Sequence, residues 1–405
     1  MDPAGDFIQV TYKIRSLRPI DPAKKALAIA LGQTTDTWTP NARSGLKKLE
    51  AHRGQVLEAK EIASGNGTHH DYLLTLGFPP ANTEGDIPTL LTMIFGKISM
   101  DGRIRMEDIS FPPTYLKGKG PRFGIDGIRK KLGEPKKPLT MAIFKPCVGL
   151  SPQELGRMFL ELAVGGMHLV KDDEILPDLT ICPVEKRLDA CLKAAAEARR
   201  QTGRRTLYAI NLTAPVSELL KKARRLAKLG AECFLFNVLS YGYGALEELR
   251  QVGVPIMAHP ALAGGWCGSP DTGLSYRVIL GSLMRLGGAD IVLFPSSYGT
   301  VALPPSETEA IRDVLTDPMG TLRRTFPGPS AGIHPGLVPR ILQDYGLDVI
   351  INAGGGVHGH PQGARAGALA FQQAVDQALK NRDFKALSEK EAPELAKALA
   401  LWGHG

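Results

Sequence analysis

The sequence predicts an α/β fold in which a smaller N-terminal α+β domain precedes a (β/α)8 TIM barrel. From about residue 138 onward, eight short runs of β-strand composition alternate with amphipathic helical stretches. Most of these helical stretches end at glycine, as helices do where they enter a turn. Eight uniform strand–helix units make a closed barrel, and an open doubly wound sheet rarely contains so many.

Each predicted barrel strand is a short apolar run that ends in polar residues or glycine. In chain order the runs are PLTMAIFKPC (138–147), MHLVKDDE (167–174), RTLYAINLT (205–213), AECFLFNVL (231–239), PIMAHPALA (255–263), DIVLFPSS (290–297), RTFPGPSAG (324–332) and VIINAGGG (349–356). Helical patterns lie between them, as in 151–166, 215–230 and 274–288. Glu154 follows Ser151 by three residues, which predicts a capping box at the start of the first helix.

The first 120 residues have a different order of elements. FIQVTYKI (7–14) and RIRMEDISF (103–111) have strand character, whereas PAKKALAIALG (22–32) and DIPTLLTMIFGKIS (86–99) have helical character. This mixture indicates an α+β domain of the ferredoxin-like, split βαβ kind. A segment rich in Gly, Pro and Lys (118–138) contains the junction, so we predict domains at 1–120 and 121–405.

Composition excludes several classes of protein. The 405-residue chain has a net charge of +8, but its basic residues are scattered through helices together with acidic ones, as in KKARRLAKLGAE (221–232). This pattern indicates a solvated surface and not a nucleic-acid interface, and it is compatible with an anionic small substrate. No run of 18 uncharged apolar residues predicts a membrane span, and no secretory signal is expected at the N-terminus. The five cysteines form no CxxC pair, so we expect a reducing cytoplasm.

The chemistry should collect at the carboxyl ends of the barrel strands, because these ends meet at one mouth. The polar residues and glycines at these ends are Lys145, Lys171, Asp172, Asp173, Glu174, Asn211, His259, Ser296, Ser297, Ser330, Gly332, Gly354, Gly355 and Gly356. His259 has two interpretations that the sequence leaves open: a hydrogen-bonded core histidine, or a contact to substrate oxygens.

A lysine followed by three carboxylates, at 171–174, comes directly after the apolar run MHLV. Such a group is most often a solvated charge cluster, but this one emerges from a buried strand. Carboxylate oxygens that converge there suit Mg2+, which prefers near-octahedral oxygen coordination. An unmodified Lys171 ammonium would repel the metal, whereas a lysine carbamate would supply a third anionic oxygen ligand. The residues themselves leave this modification open.

Two glycine-containing loops follow the last two strands, Ser-Ala-Gly at 330–332 and GGGVHG at 354–359. Glycines often serve only a tight turn. In a (β/α)8 barrel, however, the loops after strands seven and eight commonly form a phosphate site, where exposed backbone N–H groups bind the anion. Two such loops side by side therefore predict a phosphorylated substrate.

Four motifs together resemble the RuBisCO large subunit across nearly the whole chain. They are KPCVGLS (145–151), GGMHLVKDDE (165–174), the glycine loop (354–359) and TDTWT (35–39). The chain departs from the true carboxylases at three places. The strand-six loop FPSSYGTVAL lacks their CO2-holding lysine, Gly32 stands at the position of its acidic partner, and Cys147 replaces the second lysine of their KPK motif. These departures imply that carboxylation has been abandoned.

Other segments resemble the RuBisCO-like enolases of methionine salvage, namely PIMAHPALAG, FPSSYGTVALP, PSAGIHPGLVP and INAGGGVHGHP. The resemblance implies that Lys171 is modified by CO2 to a carbamate and ligates Mg2+ with Asp173 and Glu174. It also implies that Lys97, in MIFGKIS, abstracts the proton. The predicted substrate contacts are Lys145, Asn211, His259, Ser330, Gly332, Gly354 and Gly355. In this family the N-terminal domain covers the mouth of the neighbouring subunit, which implies a homodimer with shared active sites.

The expected reaction is the Mg2+-dependent enolisation of 2,3-diketo-5-methylthiopentyl-1-phosphate. Two other interpretations stay open. One is a RuBisCO-like isomerase of another sugar phosphate, such as 5-methylthioribulose 1-phosphate, which would share the metal and phosphate sites. The other is a non-catalytic scaffold or phosphate-binding protein, which the presence of Lys97, Lys171, Asp173 and Glu174 disfavours.

Overall fold

The N-terminal domain is built on a mixed sheet. A computed structural model describes residues 6–37, 46–62 and 67–405, so Trp38 and Thr39 of the TDTWT motif lie outside the described residues. The sheet contains β1 (Ile8–Ser16), β2 (Gln55–Ile62), β3 (His70–Phe78), β4 (Arg103–Ser110) and the short β10 (Gly273–Leu274). Its order is β10-β4-β1-β3-β2, with β10 parallel to β4 and the other pairs antiparallel. The predicted strands at 7–14 and 103–111 are confirmed as β1 and β4, whereas β2 and β3 were not assigned from the sequence.

The helices of this domain pack against the sheet and supply part of its core. They are α1 (Pro22–Gly32), α2 (Ile87–Leu91) and α3 (Pro113–Leu116), with 3-10 turns at Lys47–His52 and Pro80–Asn82. The predicted helix at 86–99 is present but changes pitch, because α2 continues as a π turn (Thr92–Gly96) and then as a 3-10 turn (Lys97–Met100).

Eight parallel strands form the barrel, as the sequence predicts. They are β5 (Leu139–Ile143), β6 (Leu169–Lys171), β7 (Leu207–Asn211), β8 (Cys233–Phe236), β9 (Ile256–Ala258), β11 (Ile291–Pro295), β12 (Phe326–Ser330) and β13 (Ile350–Ala353). The ladders run β12-β11-β9-β8-β7-β6-β5-β13, so the last strand returns to pair with the first. The Asn352 amide, on β13, donates a 2.6 Å hydrogen bond to the Ser330 hydroxyl on β12, and this bond links the two ends of the nearly closed barrel.

Helices surround the barrel and alternate with its strands. They are α4 (Gly124–Leu132), α5 (Pro152–Val164), α6 (Val184–Thr202), α7 (Val216–Lys228), α8 (Val238–Tyr241), α9 (Tyr243–Leu249), α10 (Ala263–Cys267), α11 (Leu283–Gly287), α12 (Pro305–Thr316), α13 (Val338–Tyr345), α14 (Gly355–His358), α15 (Ala364–Leu379) and α16 (Pro393–Trp402). Further short turns span Arg250–Val252, Arg277–Ser282 (a π turn leading into α11), Pro335–Leu337 and Phe384–Ala386. The capping box is confirmed, because the Ser151 and Glu154 side chains each accept the other residue's backbone N–H. The predicted helix at 274–288 is shorter at its start, since Leu274 belongs to β10.

The barrel interior is a packed core and not a channel. Apolar side chains from all eight strands form one buried cluster with Ile125, Ile128 and Leu132 of α4. Helix α4 precedes β5, so this cluster places it across the N-terminal end of the barrel and leaves the opposite, C-terminal end for the site. The domain boundary at 120/121 stays a prediction.

Candidate active site at the barrel mouth

The structure brings the predicted polar residues of the first strands together. Lys171 is the last residue of β6, and the Lys145 ammonium lies 2.7 Å from an Asp173 carboxylate oxygen. The His259 Nε2 atom lies 3.3 Å from a Glu174 carboxylate oxygen. Their shared location at one mouth is therefore confirmed, whereas the individual roles remain predictions.

Lys171 is buried to 1% exposure at the centre of this group. Its Nζ donates to the Asp172 carbonyl at 2.9 Å and lies 3.6 Å from Glu174. Burial lowers the pKa of Lys171, and the nearby carboxylates only partly oppose this effect. The lowered pKa favours the neutral amine, which is the form of lysine that reacts with CO2.

Asp172 belongs to a different layer from its two acidic neighbours. Successive side chains of a strand point to opposite faces, so Lys171 and Asp173 face the mouth while Asp172 faces the helices. Its carboxylate accepts hydrogen bonds from the Tyr208 hydroxyl (2.5 Å), the Arg187 guanidinium (3.1 Å) and the Asn211 backbone N–H (2.8 Å). Asp172 therefore fixes the ends of β6 and β7 and is not available as a metal ligand.

Asp173 remains ionised at the mouth. Burial alone would raise its pKa, but hydrogen bonds from Lys145, Cys147 and the Ile175 backbone outweigh that effect and lower it. Burial alone would lower the pKa of Lys145. The hydrogen bonds to Asp173 and Cys147 outweigh this effect, so the pKa of Lys145 is raised. Cys147 lies 3.0 Å from the Lys145 ammonium. The sequence identified Cys147 only as a departure from the carboxylases and not as a contact of the site.

Two asparagine amides hold the backbone of Glu174. Asn211 Nδ2 donates to the Glu174 carbonyl at 2.9 Å, and Asn237 Nδ2 donates to the same carbonyl at 3.1 Å. Asn237 was missed in the sequence analysis. It directly follows β8, whose last residue is Phe236, so the strand-end rule that selected Asn211 would also have found it.

His259 is a neutral hydrogen-bond donor at this site. Burial and the charge of Lys171 lower its pKa to about 3, so its contact with Glu174 is not an ion pair. The Ala261 backbone N–H donates to Nδ1 at 3.2 Å, which makes Nδ1 an acceptor and places the ring hydrogen on Nε2. His259 therefore points a donor toward Glu174.

The loop after β12 approaches the strand-six loop closely. Gly332 has a φ of +69°, and a Cβ added there would lie 2.6 Å from the Gly299 Cα. Glycine at 332 is thus required by the backbone itself. Ser330, at the end of β12, accepts a hydrogen bond from Asn352 and donates to the Gly328 carbonyl at 3.0 Å.

The three glycines after β13 differ in what surrounds them. A Cβ at Gly356 would lie 2.1 Å from the Ile333 carbonyl oxygen, so packing requires that glycine. A Cβ at Gly354 would lie 3.3 Å from the Lys145 Cε, which places this loop beside the charged half of the mouth. A Cβ at Gly355 would meet no atom within 4 Å. No contact within the described chain explains why position 355 is glycine, so a close approach to a bound anion is a specific alternative explanation.

Lys97 lies in a surface groove of the N-terminal domain. It is exposed and lines a groove of about 680 Å3 whose walls are α1, residues 33–37 and residues 97–101 of the N-terminal domain. Gly32 lines the same groove. None of the predicted metal and phosphate residues lines this groove.

The donor set at the mouth fits the predicted metal only with a modified lysine. Within residues 6–37, 46–62 and 67–405, no group of three or more His, Cys, Asp or Glu side chains is arranged to hold a metal ion. Asp173 and Glu174 supply two carboxylates beside Lys171, and a carbamate on Lys171 would complete a set of three anionic oxygen ligands.

Residues 6–37, 46–62 and 67–405 contain no helix that is long and apolar enough to cross a membrane.

Comparison with known proteins identifies the family. The family model for the catalytic domain of the ribulose bisphosphate carboxylase large chain matches residues 124–402. The chain belongs to the RuBisCO large-chain family. Within this family it is 45% identical to the 2,3-diketo-5-methylthiopentyl-1-phosphate enolase of Geobacillus kaustophilus, over 98% of both chains. It is 44% identical to the enolase of the same name from Microcystis aeruginosa, over 95% of this chain and 97% of that one.

Solved structures of RuBisCO-like proteins and RuBisCOs share the whole architecture. A rubisco-like protein (MtnW) from Alicyclobacillus acidocaldarius superposes with a TM-score of 0.91 at 42% identity, covering 98% of this chain and 100% of that one. The dimeric archaeal Rubisco of Hyperthermus butylicus superposes with a TM-score of 0.89 at 30% identity, covering 100% of this chain and 98% of that one. The resemblance to this family predicted from the sequence is confirmed.

The glycine loop offers a test that separates packing from phosphate binding. Gly355→Ala should leave the melting temperature unchanged, because the new methyl group meets no atom within 4 Å. It should raise KM for the phosphorylated substrate about tenfold, because the methyl group occupies the space through which a phosphate would approach the backbone. Gly354→Val is a less specific change, since its side chain would displace Lys145.

Gly356→Ala is the matched control for this test. Its methyl group would meet the Ile333 carbonyl at 2.1 Å, so we expect a loss of stability of about 1–3 kcal/mol. Differential scanning calorimetry and steady-state kinetics on the two variants would measure both effects. An unchanged KM for Gly355→Ala would move the phosphate site elsewhere.

Proposed function

We propose that this protein is a 2,3-diketo-5-methylthiopentyl-1-phosphate enolase of methionine salvage and not a carboxylase. The observation that carries the proposal is the whole-length similarity to relatives of that name, 41–45% identical over 94–98% of this chain. The strand-six loop, residues 294–303, contains no lysine that could hold CO2 or a carboxylated product. The five cysteines are free thiols, which agrees with a cytoplasmic enzyme.

In this proposal Lys171, Asp173 and Glu174 hold Mg2+ at the mouth. The neutral Lys171 amine adds to CO2, so that a new N–C bond forms, one proton is released and a carbamate anion remains. Asn211 and Asn237 fix the Glu174 backbone, and the His259 Nε2–H orients the Glu174 carboxylate. When bound, Mg2+ would polarise the adjacent substrate carbonyls and stabilise negative charge that develops on their oxygens.

The substrate phosphate would lie against the loops after β12 and β13. The backbone N–H groups of Gly332, Gly354 and Gly355 would bind it there, with Ser330 beside them. Lys145, adjacent to both Asp173 and Gly354, would contact the substrate between the metal and the phosphate. The geometry thus suits a diketone that carries its phosphate on the next carbon.

Lys97 would act as the general base from the neighbouring subunit of a homodimer. In its neutral form it would remove a proton from C1, the carbon that bears the phosphate ester. The C1–H electron pair would form the C1=C2 double bond, and the C2 carbonyl oxygen would receive a proton to become the enol. A role across the subunit interface agrees with the exposure of Lys97 and with its location in a groove lined by residues of the N-terminal domain.

The substrate assay that tests this function compares three compounds. We expect turnover of the diketone, no turnover of 5-methylthioribulose 1-phosphate and no fixation of labelled CO2 with ribulose 1,5-bisphosphate. In D2O, NMR should show exchange of the C1 proton of the diketone. Turnover of the methylthioribulose compound in preference to the diketone would favour the alternative isomerase, and labelled phosphoglycerate would identify a carboxylase.

Removal of CO2 should inactivate the enzyme even when Mg2+ is present, because the carbamate supplies a metal ligand. Lys171→Met, which keeps an apolar chain at this buried position, should abolish activity and weaken Mg2+ binding in calorimetry. Lys193→Met, on the exposed face of α6, is the control and should behave like the parent protein. Full activity of CO2-depleted enzyme with Mg2+ would refute the carbamate.

Lys97→Ala should lower kcat by about 10²–10⁴-fold, because it removes the general base. Binding of Mg2+ should persist, since its ligands lie on the barrel. Lys24→Ala, which removes an exposed charge on α1, is the control and should retain the parent kcat.

Mixing Lys97→Ala with Lys171→Met should restore activity, because a hybrid dimer contains one site with both lysines intact. If light scattering with labelled subunits shows that the two variants exchange subunits and the mixture still remains inactive, the assignment of an active site shared between subunits is wrong.

A further inference from the structure

The segment that carries Lys97 changes its helical pitch immediately before this residue. Helix α2 ends at Leu91, a π turn spans Thr92–Gly96, and a 3-10 turn begins at Lys97. Isolated π turns within helices are rare and occur frequently at functional sites. A change of pitch rotates every following side chain about the helix axis. The direction of Lys97 therefore depends on how the π turn is held.

A buried tyrosine holds this π turn from the sheet below. The Tyr12 hydroxyl, on β1, donates a hydrogen bond of 2.5 Å to the Ile94 carbonyl in the middle of the turn. The register between β1 and β4 shifts between Thr11 and Tyr12. The extra residue at this shift is Glu107 of β4, whereas β1 pairs regularly with β3 through Tyr12, so Tyr12 keeps the inward direction that the alternation of the strand gives it.

The side chains around this hydrogen bond are buried, so the position of the bond within the domain is well defined. Tyr12 is fully buried, and Ile94 and Ile98 are buried on the same side of the segment. Burial raises the pKa of Tyr12 well above its usual value, so the hydroxyl keeps its proton and remains a donor. Lys97 lies on the exposed side, three residues after the carbonyl that Tyr12 holds.

We propose that Tyr12 is a positioning residue for Lys97: its hydrogen bond to the Ile94 carbonyl sets the angle at which the Lys97 side chain leaves the N-terminal domain. The proposal rests on the proposed role of Lys97 as the general base. Tyr12 touches neither substrate nor metal in this scheme. It acts on the proton-transfer step alone, because positioning affects the reacting geometry and not the binding of phosphate or Mg2+ on the barrel.

The chain contains a matched control for this interaction. A second π turn, Arg277–Ser282, precedes α11 in the barrel domain. The Tyr243 hydroxyl donates to the Ile279 carbonyl of that turn at 2.8 Å, and Tyr243 is also buried. The two tyrosines therefore make the same bond to the same kind of turn, but only Tyr12 lies beneath Lys97.

The test compares Tyr12→Phe with Tyr243→Phe in the full-length, CO2- and Mg2+-activated enzyme. Both changes keep the aromatic ring and remove one buried hydrogen bond, so both should lower the melting temperature to a similar extent. Tyr12→Phe should lower kcat by about ten- to hundredfold, with KM and the calorimetric affinity for Mg2+ within about twofold of the parent values. Tyr243→Phe should keep the parent kcat. All rates are measured well below the lower melting temperature, on protein whose assembly matches the parent.

A double variant separates positioning from a general loss of stability. If Tyr12 acts through Lys97, Tyr12→Phe should have no further effect on the residual rate of Lys97→Ala. Equal kcat values for Tyr12→Phe and Tyr243→Phe would overturn the proposal, as would a Tyr12→Phe effect of full size in the Lys97→Ala background. If Lys97→Ala itself keeps the parent kcat, Lys97 is not the general base, and the proposed role of Tyr12 is then also wrong.

Discussion

The ion pair between Asp172 and Arg187 lies directly behind the mouth, and both side chains are 0% exposed. Burying two charges is costly unless hydrogen bonds satisfy both groups. The Asp172 carboxylate meets this requirement through Arg187 of α6, Tyr208 of β7 and the Asn211 backbone. These bonds join two strands and a helix at one point. Because side chains alternate through the end of β6 and the two residues that follow it, an Asp172 side chain held on the outer face leaves Lys171 and Asp173 on the inner face.

The mouth then divides into two chemically distinct halves. One half carries the Asp173 and Glu174 carboxylates around Lys171 and is suited to a cation. The other half consists mainly of backbone at the ends of β12 and β13, where glycine leaves room for an anion. Lys145 lies at the boundary between the two halves. Its ammonium is 2.7 Å from an Asp173 carboxylate oxygen, and its Cε would be 3.3 Å from a Cβ at Gly354. This division of the mouth suits the proposed binding of Mg2+ on one side and of the substrate phosphate on the other.

The sequence predicted the barrel, the strand ends and the location of the charged residues, because strand alternation and chain order are local properties. It did not predict contacts that depend on three-dimensional packing. The hydrogen bond from Tyr12 to Ile94 joins residues 82 positions apart, and no local pattern around Tyr12 distinguishes it from a core tyrosine. The sequence likewise predicts an ordinary helix where the π turn precedes Lys97, because the pitch depends on tertiary contacts. The distinction between Gly355 and Gly356 also required knowing which atoms surround each backbone position.

The pairing of β10 with β4 has a consequence for how the protein is made. Four strands of the N-terminal sheet are complete once the chain has been synthesised through Ser110, but the fifth comes from Gly273–Leu274, between the fifth and sixth barrel strands. Until those residues leave the ribosome, Arg105 and Met106 of β4 lack their partners on this edge, and unpaired strand edges are sites of aggregation. Domains generally fold as units in order of synthesis. Here the first domain completes its sheet only when more than half of the second domain has been synthesised, so this edge acquires its partner later than every other strand of the sheet.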